Sequence, residues 1–350
     1  MTPVLDLSDI RITDIPRVGP KVARLGHLAA SGWQVPDGYA VTVQALEAWL
    51  PAATRSELER LFTGRQPFDT QTLGRLSGQA QALIESQALP SWLQDAVLSA
   101  HERLRNRTGA GSGLRVAVRS SAVGEDGAGT SFAGQFCTYL GIQDAMDVLH
   151  HIRKCWASGY TARAVEYRRR AGLPPHSRDL AVGVLHLVDA RSAGVVFTLD
   201  PVTGDRGRLV AEANWGFGES VVSGQVTPDH WEVDRASGQI LKRHVAAKRS
   251  WSVLDPAAAR VVLAALPADL AERPCLDDDE VRYLCQKAAE IEDAEGVPQD
   301  VEWAIARDGS FPASVFILQH RPETTWPTAP ARSFDPVQYA LRNVFKVPGA

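Results

Sequence analysis

The pattern of apolar and polar positions divides the chain into segments of distinct period. Residues 116 to 135, VAVRSSAVGEDGAGTSFAGQ, open as a strand in which Val116 and Val118 alternate with Arg115 and Ala117. Arg119 and a serine pair close that strand, and a glycine-rich polar stretch follows. Upstream, VGPKVARLGHLAASGWQVPDGYAVT predicts a turn, a helix from Lys21 to Ser31, a stop at Gly32 and a Pro-Asp-Gly turn before a short strand. Residues 43 to 107 keep helical spacing, broken at Pro51 and Pro90, and read as a helical insertion or subdomain. The GAGSG linker at 109 to 113 leads from there into the strand.

Downstream, MDVLHHIRKCWASGYTARAVEYRRRAGL predicts one or two helices, and DLAVGVLHLVDA and SAGVVFTLDP predict apolar strands around a turn. RLVAEANW and HWEVD are two further strands, separated by GFGESVVSGQVTPD. DDDEVRYLCQKAAEIEDAEG is a helix whose acidic first turn suits the helix dipole and whose glycine ends it. A hairpin from QDVEWAI to VFILQHRP follows. The chain shows no internal repeat and no low-complexity tract.

Composition narrows the class. The 350 residues are 45% hydrophobic and 22% charged, as in soluble globular proteins, and the length suits two or three subdomains. A net charge of -4 and an isoelectric point near 6.2 give no long-range attraction for nucleic acid or an anionic membrane. No apolar run reaches the roughly 20 residues of a membrane span, and MTPVLDLSDIRITD carries acids where a signal peptide has bases. A cytoplasmic protein is expected. Cys137, Cys155, Cys275 and Cys285 have no metal-binding or disulfide spacing and read as reduced thiols.

Candidate chemistry concentrates in the last hairpin. A loop centred on RDGSFPAS sets Glu302 opposite Gln319, and strand alternation adds Asp300 and Arg321 to the same face. Carboxylate and amide oxygens are hard ligands suited to Mg²⁺, which takes few protein groups when a nucleotide supplies phosphates. An adjacent arginine suits polyphosphate. The same spacing also describes a solvated face holding an ion pair. Arg119, with the serines and glycines after it, offers donors to a phosphate, although no GxxxxGK[ST] sequence is present and the stretch equally reads as a connector. Lys21, at a helix start, combines an ammonium with the helix dipole, whereas a surface position is the commoner fate of lysine. Glu212, Asn214 and Glu219 lie among glycines in either a second binding loop or a turn-rich connector. His150 and His151 are adjacent and face different directions on a helix, so they do not chelate as an i, i+4 pair does. No phosphohistidine is recognisable.

VGPKVARLGHLAASGWQVPDGYAVT, VAVRSSAVGEDGAGTSFAGQFCTYL, AGVVFTLDPVTGDRGRLVAEANWGFGESVVSGQVTPD, and PQDVEWAI with LQHRP resemble, in order, one family's motifs. That family is the N-terminal nucleotide-binding domain of phosphoenolpyruvate synthase, pyruvate phosphate dikinase and rifampin phosphotransferase. The resemblance covers about residues 10 to 325. It implies an α+β, ATP-grasp fold of two or three subdomains around a nucleotide cleft. Residues 1–200 would form the N-terminal half, with the helical insertion at 43–107 and a phosphate-covering loop at 120–134. Residues 201–325 would form the C-terminal half with the metal-binding hairpin, and 326–350 a tail. Matched by motif, Lys21, Arg119, Gly134, Thr138, Glu302, Gln319 and Arg321 correspond to ATP and Mg²⁺ positions. Lys21, Arg119 and Arg321 would neutralise phosphate charge, and Glu302 and Gln319 would hold the metal. Leu185 stands where the adenine-side motif commonly has glutamine, and Pro20 where glycine is usual before the lysine. Glu212 and Glu219 match the central glycine-rich segment without a catalytic duty.

Family members continue into a swivelling domain whose histidine takes the β-phosphoryl of ATP, releasing AMP and phosphate, and the dikinases add a pyruvate-binding barrel. The sequence matches neither part. Its organisation resembles the small ATP-binding subunit of phenylphosphate synthase, which implies a stand-alone ATP-binding component. A separate chain would carry the histidine and pass the phosphoryl to a small-molecule acceptor, with no nucleic acid or membrane partner. A self-sufficient small-molecule kinase and a non-catalytic nucleotide-binding regulatory module are the alternatives.

Overall fold

The computed structural model describes residues 2–63, 68–124, 137–170, 172–174, 179–255 and 260–326. The first part of the chain contains β1 (Val4–Asp6), α1 (Ile15–Ala30), β2 (Gly38–Val41), α2 (Val43–Trp49), α3 (Ala52–Phe62), α4 (Thr70–Glu85) and α5 (Ser91–Thr108). It continues through β3 (Val116–Ala122), β4 (Thr138–Ile142), α6 (Ala145–Ser158), α7 (Ala162–Arg170) and β5 (Leu180–His186). The second part contains β6 (Ala190–Phe197), β7 (Arg208–Trp215), α8 (Glu219–Val222), β8 (Asp229–Asp234), β9 (Ile240–His244), β10 (Ser250–Asp255) and β11 (Arg260–Ala265). It closes with α9 (Asp278–Glu295), β12 (Gln299–Ala306) and β13 (Val315–Pro322).

Two antiparallel sheets organise these elements. The first has the order β1-β2-β5-β3-β4, the second β13-β12-β6-β7-β8-β9, and β10 and β11 pair apart as a hairpin. Helices α2 to α6 share one core with the first sheet, where Trp49 stacks on Trp156 with centroids 4.7 Å apart. Leu58, Phe62, Leu93 and Leu104 from the 43–107 segment meet Val116, Val118 and Val182 there. The segment is therefore a packed layer of the first sheet's core, not a separate body, because its apolar stripes need that sheet to bury against. Under the second sheet, α9 buries Val281, Leu284 and Ile291 against Trp231, Trp303 and Ile317. Asp277 and Glu280 form a capping box at its start, and Gly296 ends it in the left-handed conformation.

Helix α1 links the two sheets. Val22 and Leu25 pack with Leu185 of the first, and Leu28 joins the core of the second. Its backbone breaks at Gly19 (φ 70°, ψ 164°), so the helix restarts at Pro20, whose fixed φ suits a first helical position.

DLAVGVLHLVDA and SAGVVFTLDP are both strands, but they do not form one hairpin. β5 is central to the first sheet and β6 to the second. The chain crosses from the first sheet to the second at residues 187–189. Both strands are mostly apolar and buried, a pattern that reports burial and not which sheet provides it. All four cysteines are free thiols, and burial raises the pKa of Cys155 and Cys275 and pushes Cys285 up to about 12. Among the described residues, no helix is long and apolar enough to cross a membrane.

Candidate active site

A cleft of about 690 Å³ opens between the two sheets, within the size range of small-ligand sites. Six of the seven residues singled out from the motifs line it: Lys21, Arg119, Thr138, Glu302, Gln319 and Arg321. Gly134 lies outside the described residues, as does the 125–134 part of the proposed phosphate-covering loop.

Strand register sorts the cleft into two ends. On the first sheet, Arg119 stands opposite Thr138 on one side and Gly183 on the other. Two residues back, Ala117 stands opposite Leu140 and Leu185. Alternation places both rows on one face, a polar row beside an apolar one. The apolar end continues through Leu187 and Val188 of the connector to Ala190, Ala193, Phe217, Ala304 and Leu318. Leu185, only 4% exposed, is part of this wall and of the core behind it. His186 also lines the cleft, and burial lowers its pKa despite the opposing charge of Asp37, which favours the neutral ring.

The hairpin β12–β13 supplies the polar end from the second sheet. Glu302 pairs with Gln319 and Asp300 with Arg321, the register its loop predicts, with a bulge between Glu302 and Trp303. Arg321 Nε donates to Asp300 Oδ2 at 3.0 Å. Burial pushes the Asp300 carboxyl up to about 6 against the pull of Arg321. Its second oxygen, Oδ1, is buried with no hydrogen-bond partner, a costly state for a carboxylate oxygen. Across the cleft, Arg119 Nη2 donates to Gln319 Oε1, and Arg119 Nε is buried without a partner.

Helix α1 brings Lys21 to the same region. The restart after Gly19 puts Lys21 in a first helical turn, where backbone N–H groups and the ammonium present positive charge together. Gly19 is required for this approach: a Cβ there would lie 2.3 Å from Ser121 Oγ and 2.5 Å from Ser121 O.

The donor set fits a hard divalent cation. Glu302 and Gln319 offer a carboxylate and an amide oxygen from paired positions, with the orphan Asp300 oxygen two residues along the same strand. Among the described residues there is no cluster of three or more His, Cys, Asp or Glu able to hold a metal. A carboxylate and an amide oxygen together are of the ligand type that Mg²⁺ accepts when phosphate oxygens complete its shell.

The remaining candidates separate. Glu219 lines the cleft from α8. Asn214 Nδ2 donates to Ser250 O at 3.0 Å and so holds the β10–β11 hairpin. Glu212 pairs with His230 at 3.5 Å, and its carboxylate raises the pKa of that imidazole. His150 and His151 are on α6 and do not line the cleft. Sequence reasoning missed Arg163, which lines the cleft from α7. Its only signal was a place among the arginines of TARAVEYRRR, a run that also suits a solvated helix face.

Comparison with known proteins bears on this geometry. The family model described as pyruvate phosphate dikinase, AMP/ATP-binding domain, matches residues 15–338. A probable phosphoenolpyruvate synthase of Staphylothermus marinus is 36% identical over 341 residues, covering 91% of this chain and 41% of the relative. One of Methanothermobacter thermautotrophicus is 37% identical over 313 residues, covering 89% of this chain and 44% of the relative. A prodigiosin synthesizing transferase of Serratia marcescens is 36% identical over 324 residues, covering 93% and 33% respectively. The chain thus spans less than half the length of these relatives.

Proposed function

Because the chain belongs to the family of the pyruvate phosphate dikinase AMP/ATP-binding domain, we propose that it is the ATP-binding component of a dikinase-type phosphotransferase. Its α+β architecture is that of the ATP-grasp fold. In this reading, ATP is cleaved to AMP and phosphate, and the β-phosphoryl passes to a histidine on a separate chain and then to a small-molecule acceptor. The two halves of the grasp meet at the 187–189 connector.

One observation carries the proposal: six motif residues, spread from position 21 to 321, converge on a single cleft with an apolar end and a polar end. The apolar wall around Leu185, Val188 and Phe217 suits a nucleobase, and Lys21, Arg119 and Arg321 suit its phosphates. Glu302 and Gln319 would hold Mg²⁺, which when bound supplies charge neutralisation to the phosphates. The protein's own contribution is to hold the triphosphate between two sheets and to stabilise negative charge as it shifts during transfer. Thr138, opposite Arg119, adds a hydroxyl at the polar end.

The test is product analysis with position-labelled ATP, using the full chain with a candidate histidine-bearing partner. AMP, phosphate and β-label on the partner's histidine are expected. ADP as the sole nucleotide product would instead identify a self-sufficient kinase. Nucleotide binding without turnover in the presence of a competent partner would identify a regulatory module.

A further inference from the structure

We infer that Arg163 binds the terminal phosphates of the nucleotide, approaching from the side of the cleft opposite the metal hairpin. The inference rests on the nucleotide reading above and assigns the site one further ligand-binding residue.

The position of α7 supports it. Helix α6 starts beyond the far end of β4 and runs back along the first sheet for 14 residues, about 20 Å at 1.5 Å per residue. Its last turn reaches the polar end. Cys155 Sγ contacts Val118 O at 3.8 Å, and Trp156 Nε1 donates to Leu180 O at 3.1 Å, where Leu180 pairs with Ala122. Arg119 lies between Val118 and Ala122 on that strand, so α7 begins beside the phosphate row and away from the Leu140–Ala117–Leu185 row.

Helix α7 is also fixed in place. Arg168 is 5% exposed, donates to Gly159 O at 2.5 Å and lies over the Tyr160 ring. Arg169 and Arg170 both bond Glu166. Of the four arginines on this helix, Arg163 is the one that lines the cleft. It stands in the first helical turn, where the helix dipole favours a bound anion.

Charge balance points the same way. Lys21, Arg119, Arg163 and Arg321 outnumber Glu219 and Glu302 in the lining, the balance a polyphosphate requires.

The experiment measures binding of AMP, ADP and ATP, each with Mg²⁺, to the full chain and to Arg163→Ala and Arg163→Lys. The alanine variant should bind AMP within about twofold of the parent and ATP about tenfold or more weakly, as loss of a charge-assisted phosphate contact implies. The lysine variant should recover part of the ATP affinity, since it keeps the charge but not the planar fork. Unchanged ATP binding in the alanine variant, or a parallel loss for AMP and ATP, would overturn the inference. A parent protein that binds AMP and ATP equally would overturn it while sparing the nucleotide cleft, and one that binds neither would remove both.

Discussion

Arg119 on the first sheet donates a hydrogen bond across the cleft to the side-chain oxygen of Gln319 on the second. The two groups proposed to meet phosphate and metal therefore meet each other first. In the proposed reading, a bound nucleotide with its cation would separate them, taking the guanidinium for phosphate and freeing the amide oxygen. Arg119→Ala and Glu302→Ala are each expected to lower ATP turnover by at least about 100-fold, the scale seen when a charge-stabilising group is lost. Neither should shift the melting temperature by more than a few degrees. Steady-state AMP formation with a competent partner and thermal unfolding check both halves of this prediction.

Gly19 couples backbone conformation to the site. With φ at 70° and Ser121 in contact distance, an alanine must displace either α1 or the end of β3. Gly19→Ala should cost about 1–3 kcal/mol of stability. It should also weaken ATP binding more than AMP binding, since Lys21 follows two residues later. Urea unfolding and nucleotide titration would show it; equal stability and affinity to the parent would contradict the packing described.

A buried ion pair anchors the β10–β11 hairpin. Asp229 and Lys248 are fully buried, 2.6 Å apart, and Asp229 also accepts from the backbone N–H groups of Ala246 and Cys275 at 2.9 Å. Removing one partner strands the other charge in the interior. Asp229→Ala should therefore destabilise the fold by about 3–5 kcal/mol, and adding Lys248→Met should restore part of the loss. A double-mutant cycle in urea measures the coupling, and strict additivity would argue against it.

His320 predicts an acid-sensitive fold. It is 1% exposed, bonds Gln299 through Nδ1, and burial beside Arg24 and His27 lowers its pKa from 6.5 to about 4. Between those values the unfolded chain binds the proton more readily, so stability falls as pH drops from about 6.5 to 4, by up to about 3 kcal/mol. Asp300 acts in the opposite sense. Its raised folded pKa means that protonation near pH 6 favours the folded state, offsetting part of the loss. His320→Gln should flatten the acid limb, as read from urea midpoints at neutral pH and at about pH 4.5.

Much of the site was legible along the chain because register is a local property. The loop between Ile305 and Val315 determined that Glu302 faces Gln319, and the structure keeps that pairing. Helix limits were equally local: the glycine at 296 and the acidic turn at 277–280 are caps that act within a few residues. The hairpin at 250–265 and β9 were missed. β9 (ILKRH) is largely exposed and lacks a buried alternating face, and β10 and β11 are only partly buried.

Sequence by itself determined the long helices, most strands, the last hairpin's register and the residue types suited to phosphate and metal, because each depends on neighbours a few positions apart. Tertiary structure decided that β5 and β6 part into different sheets, that Glu219 enters the cleft while Glu212 turns to His230, and that Arg163 lines the cleft. Those outcomes depend on how two sheets and the helices around them pack, and burial then determines which charges keep their ordinary pKa values.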